Sequence, residues 1–166
     1  MKMTQLFLKT NAALLAFISI SFATLSIPNY SHSADKVEIT KAWLRATPPS
    51  AMAAGGYLVI TNNTDRDDTL VGVEFSQAGK SEIHEMKISD GVMTMRPLKQ
   101  GITIAAGESV SLRPGGFHLM FMGMKSQLKD GQNYQVKLTF NHSGVMEIDF
   151  LVLSMGKGKK FMTQED

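Results

Sequence analysis

This 166-residue chain contains no cysteine. Thiolate zinc sites, iron–sulfur clusters, redox dithiols, cysteine nucleophiles and blue-copper centres all require a thiol sulfur, so the sequence excludes them. Internal repeats, linkers and low-complexity blocks are also missing, and no long segment shows a helical period of apolar residues. Sulfur is nevertheless abundant, because 12 residues are methionine. The chain is therefore rich in thioether sulfur while lacking thiols.

The segment 1–34 has the pattern of a secretory signal peptide. Lys2 and Lys9 give it a positive start, residues 12–27 are mostly apolar, and small residues favour cleavage after Ser33 or Ala34. An apolar stretch of this length is short for a membrane span, so an uncleaved anchor is the less favoured alternative. Because no cysteine follows it, a lipid anchor on cysteine is not expected. We therefore expect an exported protein.

The balance of charge argues against a nucleic-acid-binding surface. The chain has 17 basic and 15 acidic residues, but Lys2 and Lys9 belong to the signal segment, so 15 of each sign remain after cleavage. With no net charge and no basic stripe, we expect binding neither to nucleic acid nor to a membrane surface. The Lys-containing stretch 156–166 is interpreted as a flexible, solvated tail.

Turn-forming residues recur at short intervals through the rest of the chain, with short β-forming runs between them. This pattern predicts a single all-β domain, a Greek-key β-sandwich or barrel, over residues 35–155. We expect Trp43 to be a core anchor and His142, which lies in a turn, to be exposed. The expected strands are Val37–Leu44, Tyr57–Thr61, Thr69–Phe75, Ser81–Ile88, Val92–Pro97, Val110–Leu112, Phe117–Met122, Tyr134–Phe140 and Met146–Leu153.

The dipeptide Asp90-Gly91 predicts a two-residue hairpin turn, because a type I′ turn needs positive φ at both central residues. With these two residues as the turn, Met86 pairs with Met95 and Glu85 pairs with Arg96. Side-chain alternation then gives the ribbon a polar face, expected to face solvent, and an apolar face, expected to face inward or a rim. The apolar face carries His84, Met86, Ile88, Met93 and Met95.

A later run, Phe117–Met122, places His118 and Met120 on one face by the same alternation. If this strand crosses near the hairpin, these two side chains converge with His84 and Met95. Two imidazoles and two thioethers form a soft, uncharged set of donors that suits Cu(I) best. The residues alone therefore allow a Cu(I) site.

Structural packing is the alternative interpretation of the same side chains. Methionine often fills irregular gaps in a core, and an inward histidine is often only a hydrogen-bonded core residue. Six methionines nevertheless lie within the segment Met86–Met124, its two end residues included, which random scatter would seldom produce. We expect Met93, Met122 and Met124 to pack, whereas Met86 is a gate, an alternative ligand or a rim residue. Spacing and composition leave ligation and packing both open.

The spacing resembles that of the periplasmic copper chaperones called PCu(A)C. Their pattern is a His, about ten residues, a Met, about twenty-one residues and then His-x-Met. Here 10 residues separate His84 from Met95, and 22 separate Met95 from His118-Leu119-Met120. The resemblance extends over Val37–Leu153. Other similar segments are Ala42–Pro49, Ile83–Met86, Gly91–Pro97 and Pro114–Met120.

The resemblance implies a cupredoxin-like β-barrel that binds Cu(I) through His84, Met95, His118 and Met120. It also implies delivery of copper to the Cu(A) centre of cytochrome c oxidase or to another copper chaperone. We expect a monomeric periplasmic protein that is not an enzyme, because no catalytic arrangement is recognisable in the sequence. Cu(II) is left open, although the tail offers only Met162 and no His for a second site. The alternative function is a secreted β-sandwich for adhesion or protein binding, in which the His and Met residues are purely structural.

Overall fold

The computed structural model describes residues 36–164. The predicted signal peptide and its cleavage site lie outside the described residues. The described part contains β1 (Val37–Arg45), β2 (Ala53–Asn62), β3 (Asp68–Glu74), β4 (Lys80–Ser89), β5 (Val92–Pro97), β6 (Ile102–Ile104), β7 (Ser109–Leu112), β8 (Phe117–Met122), β9 (Asn133–Phe140), β10 (Gly144–Leu153) and α1 (Met155–Thr163). Within residues 36–164, no helix has the length and apolar character that crossing a membrane requires.

The strands join one hydrogen-bonded sheet in the order β5-β4-β8-β2-β1-β10-β9-β3-β6, with β7 paired to β2. β1 and β10 run parallel, whereas β4 is antiparallel to both of its neighbours. Strands from both halves of the sheet contribute to a single core, and Phe75 after β3 contacts Phe121 of β8 with ring centroids 5.0 Å apart. The all-β prediction is confirmed.

The expected strands are all present, and their ends differ by a few residues. The largest difference is at β2, which begins at Ala53 instead of Tyr57, so that Gly55 and Gly56 lie inside the strand. A Cβ on Gly56 would lie 2.9 Å from the Phe121 ring, so this glycine permits close packing. Strand β6, which has three residues, is not among the expected strands.

Helix α1 corrects the prediction of a flexible tail from residue 156. The helix packs Gly158 against the ring of the fully buried Trp43, where any Cβ would overlap that ring. Its first turn is also held to Asp130, which accepts hydrogen bonds from the Ser154 backbone (2.8 Å) and from Lys157 Nζ (2.6 Å). The glycine that weakens helix propensity is thus the residue that allows the helix to dock. Trp43 is confirmed as a core anchor.

Candidate metal centre

The hairpin formed by β4 and β5 has the predicted register. Asp90 and Gly91 have φ values of 53° and 76°, and Met86 lies opposite Met95. The predicted cross-strand ion pair is also present, with Arg96 Nη2 2.7 Å from a Glu85 carboxylate oxygen. The turn therefore fixes which side chains share each face of the ribbon.

Strand β8 lies beside β4 and brings the two histidines together. His84 is directly opposite His118, and the centroids of their rings are 5.7 Å apart. Both are buried, with 8% and 5% of their surfaces exposed. Their strand neighbours Ile83 and Leu119 point to the opposite face and belong to the main core. The histidines are thus buried on the face of the sheet that turns away from this core.

A pocket of about 290 Å³ opens on the same face. Met95, His118 and Met120 line it together with Met86. The other side is built from residues 45–48, residues 53–55 and Tyr57. His84 is not part of the lining and reaches the site through its contact with the His118 ring. Three of the four predicted ligands therefore share one pocket, and the fourth contacts the ring of one of them.

The prediction that the apolar face of the ribbon turns inward or toward a rim is wrong for the end of the hairpin, which is exposed. Ile88 is 65% exposed and Met93 is 62% exposed, so the expected packing of Met93 is also wrong. The hairpin extends beyond the core, where both faces of a two-stranded ribbon meet solvent. Met124, in contrast, packs against the core as predicted, and Met122 is half-buried.

Hydrogen bonds leave one ring nitrogen of each imidazole available. His118 Nδ1 lies 3.0 Å from the Gly116 carbonyl oxygen, which can only accept, so His118 Nδ1 carries the proton and Nε2 keeps a lone pair. His84 Nε2 lies 2.9 Å from a Glu82 carboxylate oxygen, which can only accept, so Nε2 carries a proton and Nδ1 holds the lone pair in the neutral imidazole. His84 Nδ1 is buried without a hydrogen-bond partner, as is one other side-chain atom of residues 36–164, Trp43 Nε1. A buried ring nitrogen without a hydrogen-bond partner is available to bind a metal ion.

The protonation states suit ligation. Burial lowers the pKa of His118, the hydrogen bond to Gly116 raises it, and the nearby His84 lowers it, with a net decrease. Hydrogen bonds from Lys80 and His84 hold the pKa of Glu82 below its ordinary value. His118 is therefore neutral and Glu82 ionised at neutral pH, which keeps a lone pair on His118 and an acceptor beside His84.

The donor set selects the kind of ion. Among the described residues 36–164, no three His, Asp or Glu side chains are grouped closely enough to hold a metal. A metal at this pocket would instead be held by imidazole nitrogen and thioether sulfur, which favours soft Cu(I) over hard cations. The residues present thus fit a soft, monovalent ion.

Sequence patterns did not identify three contributors to the site. Glu82 lies two residues before His84 in the same strand, so side-chain alternation places both on one face. Tyr57 lines the pocket and stacks on Trp43 with ring centroids 4.5 Å apart; burial raises the pKa of Tyr57, and the charge of Arg45 lowers it by less. Arg45 is the one charged residue in the pocket lining.

His142 lies outside this lining and is exposed in its turn, as predicted.

The family model called LpqE-like ("Putative lipoprotein LpqE-like") matches residues 37–152. "Putative lipoprotein Lxx21020" of Leifsonia xyli subsp. xyli is 37% identical over 108 residues, which are 65% of this chain and 64% of that protein. An uncharacterized protein of Rickettsia prowazekii, RP573, is 24% identical over 63% of this chain and 60% of its own length. The chain thus spans slightly less than two thirds of the curated relatives it matches.

Solved structures extend the likeness to copper-binding domains. The copper-bound PCuAC domain from PmoF2 superposes with a TM-score of 0.61 at 25% identity, covering 72% of this chain and 93% of that domain. The Cu(I) form of DR1885 from Deinococcus radiodurans gives a TM-score of 0.57 at 27% identity, over 70% of this chain and 76% of that one. The cupredoxin-like form of the all-β prediction is confirmed by these matches.

Proposed function

Because the chain belongs to the LpqE-like family and has the fold of PCuAC domains, we propose that it binds Cu(I) and passes it to another protein. The observation that carries this proposal is the pairing of two buried imidazoles, each with a free ring nitrogen, beside a pocket lined by thioethers. Neutral nitrogen and sulfur donors bind soft Cu(I) without contributing negative charge. Such a site holds its ion less tightly than a thiolate site, which suits delivery.

The proposed ligands are His84, Met95, His118 and Met120. The two histidines supply the buried end of the site, and the thioethers supply its open end. Met95 is 48% exposed, so a bound ion would be reachable from solvent by a partner. Thioethers also resist the disulfide formation that removes thiol ligands in an oxidising compartment. This combination favours transfer of the metal over catalysis on it.

The proposed setting is the periplasm, after removal of residues 1–34. The copper-receiving protein is proposed to be the Cu(A)-containing subunit of cytochrome c oxidase or another copper chaperone, and the protein itself to act as a monomer. This part of the proposal rests on the resemblance in spacing and on the copper-bound structural neighbours.

A Cu(I) titration tests the proposal. The purified protein is titrated under reducing conditions against a chromophoric Cu(I) chelator, beside His118→Ala and Met120→Ala variants. We expect the wild type to bind one ion and each variant to bind at least about tenfold more weakly, because each loses a donor atom. His142→Ala is the matched control, since His142 lies exposed in a turn and does not line the pocket.

Circular dichroism and the control decide how the titration is interpreted. Variants that keep the β-type spectrum but lose affinity support ligation by these residues. If wild type, His118→Ala and Met120→Ala compete equally poorly with the chelator, the copper proposal fails. That result would favour the alternative of a secreted β-sandwich that binds proteins.

A further inference from the structure

Met86 lies in the pocket but is not among the four proposed ligands. It lines the same pocket as Met95, His118 and Met120, and it is the direct cross-strand partner of Met95. It also follows His84 by two residues, so both side chains are on the same face of β4. Three thioethers thus face one pocket where a four-ligand site with two histidines needs two.

The order of the strands places Met86 between Met95 and the histidine on β8. Strand β4 lies between β5 and β8, and Met86 N donates a hydrogen bond to the Gly116 carbonyl at 3.0 Å, next to the start of β8. Neighbouring strands are about 4.8 Å apart, so the backbone of Met95 lies about 10 Å from β8 and that of Met86 about half as far. On this sheet, Met86 is one strand closer to His118 than Met95 is.

Burial follows the same order. His118 is 5% exposed, Met86 is half-buried and Met95 is 48% exposed. Methionine has three rotatable side-chain bonds and a polarizable sulfur, so its thioether can reach more than one position in a pocket. Side-chain exposure therefore increases from the buried imidazoles through Met86 to Met95 at the edge of the ribbon.

We propose that Met86 is a third thioether donor, which exchanges with Met95 as a ligand of Cu(I) when the ion enters or leaves. In the exchange, a bond from copper to one Met sulfur forms as the bond to the other breaks. Both thioethers are neutral before and after, so no proton or electron moves and copper stays Cu(I). This inference rests on the proposed function and concerns how the same site releases its ion.

The first test observes the methionine methyl groups. The purified protein is labelled with ¹³C at the Met methyl groups and titrated with Ag(I), a soft monovalent ion that does not change oxidation state. We expect the methyl signal of Met86 to shift together with those of Met95 and Met120, while the 62% exposed Met93 stays unshifted. A Met86 signal that is unmoved at saturation overturns the inference.

The second test measures release. Met86→Leu is compared with Met93→Leu, because both residues lie on the same face of the hairpin and only Met86 lines the pocket. Leucine conserves most of the volume, so folding should persist. We expect Cu(I) transfer to excess chelator to be about tenfold slower for Met86→Leu and unchanged for Met93→Leu.

The outcomes separate this inference from the proposed function. If the methyl signals of Met95 and Met120 shift with Ag(I) but that of Met86 does not, the proposed exchange between Met86 and Met95 is wrong and the copper site stands. The same holds if Met86→Leu releases Cu(I) at the wild-type rate. If the wild type binds no Cu(I) and no methyl signal shifts, the proposed function fails and the proposed ligand exchange fails with it.

Discussion

Strands β9 and β5 are both paired antiparallel to a neighbour, yet they are held in different ways. Strand β9 alternates and buries Val136, Leu138 and Phe140, whereas all residues of β5 are exposed. Strand β5 is thus held mainly by its pairing with β4, while burial of apolar surface stabilises the rest of the sheet. The region that stabilises this molecule, which includes β9, is therefore separate from β5, which carries the exposed thioether of Met95.

The base of the hairpin joins the two regions. Ile83 is packed in the core on one face of β4, and His84 is buried on the other face. Further along β4 and across the turn, few apolar contacts remain, which is the physical signature of a segment that opens at low cost. In the proposed metal site, the buried histidines would therefore be held more rigidly than the methionine of the hairpin.

The contrast predicts its largest effect at Phe121. This ring is fully buried and contacts Phe75, so Phe121→Ala should lower the free energy of unfolding by about 3–5 kcal/mol. Met93→Ala, on the exposed ribbon, should change it by less than about 0.5 kcal/mol. Chemical denaturation of both variants measures the difference. Equal losses would show that the ribbon is packed in solution.

The next effect concerns a charge in the well-packed region. Asp68 is 2% exposed, and its carboxylate accepts hydrogen bonds from the backbone N–H groups of Thr69 (2.7 Å), His142 (2.9 Å) and Ser143 (2.8 Å). Asp68→Ala should cost about 2–4 kcal/mol at neutral pH, because these donors lose their acceptor. Thermal or chemical denaturation at neutral pH measures the loss.

The same carboxylate predicts a dependence on pH. Burial raises the pKa of Asp68, but the hydrogen bonds outweigh it and lower the pKa below the ordinary value. Its stabilisation is therefore complete above the unfolded-state pKa of about 3.9 and is lost as the pH falls through the lower folded-state pKa. Asp68→Asn should reduce this acid-dependent loss. An unchanged acid limb would contradict the assignment.

A smaller effect is expected where α1 docks. Gly158→Ala would force a Cβ into the Trp43 ring, which should cost about 1–3 kcal/mol through overpacking. Gly156→Ala is the matched control, because a Cβ there meets nothing and should stabilise the helix slightly. The sole tryptophan of the chain reports the displacement by its fluorescence. Identical spectra and stabilities would argue against docking.

The smallest effect should come from the hairpin itself. The side chain of Arg96 is 70% exposed in its ion pair with Glu85, so Arg96→Ala should cost less than about 1 kcal/mol. Added salt should diminish the difference, because it screens exposed charges. Denaturation at low and high salt checks this. A large loss that persists at high salt would mean that the ribbon depends on its surface pairs.

Local signals in the sequence were sufficient for much of the fold. Asp90-Gly91 fixed the hairpin register, because few residues adopt positive φ at both positions of a tight turn. The same signals missed α1, whose segment contains Gly156 and Gly158 and has weak helix propensity. Its helix forms where Gly158 meets Trp43, a contact between residues far apart in the chain.

Local patterns were enough to place His84, Met86 and Met95 on one face of a ribbon, since alternation along a paired strand depends only on local geometry. Contacts between distant parts of the chain place β8 beside β4 and His118 opposite His84. They also bury these two histidines while the end of the ribbon stays exposed. Alternation states which side chains share a face but not what covers that face. The opposite wall of the pocket comes from residues 45–48 and from β2, which no local pattern places beside the hairpin.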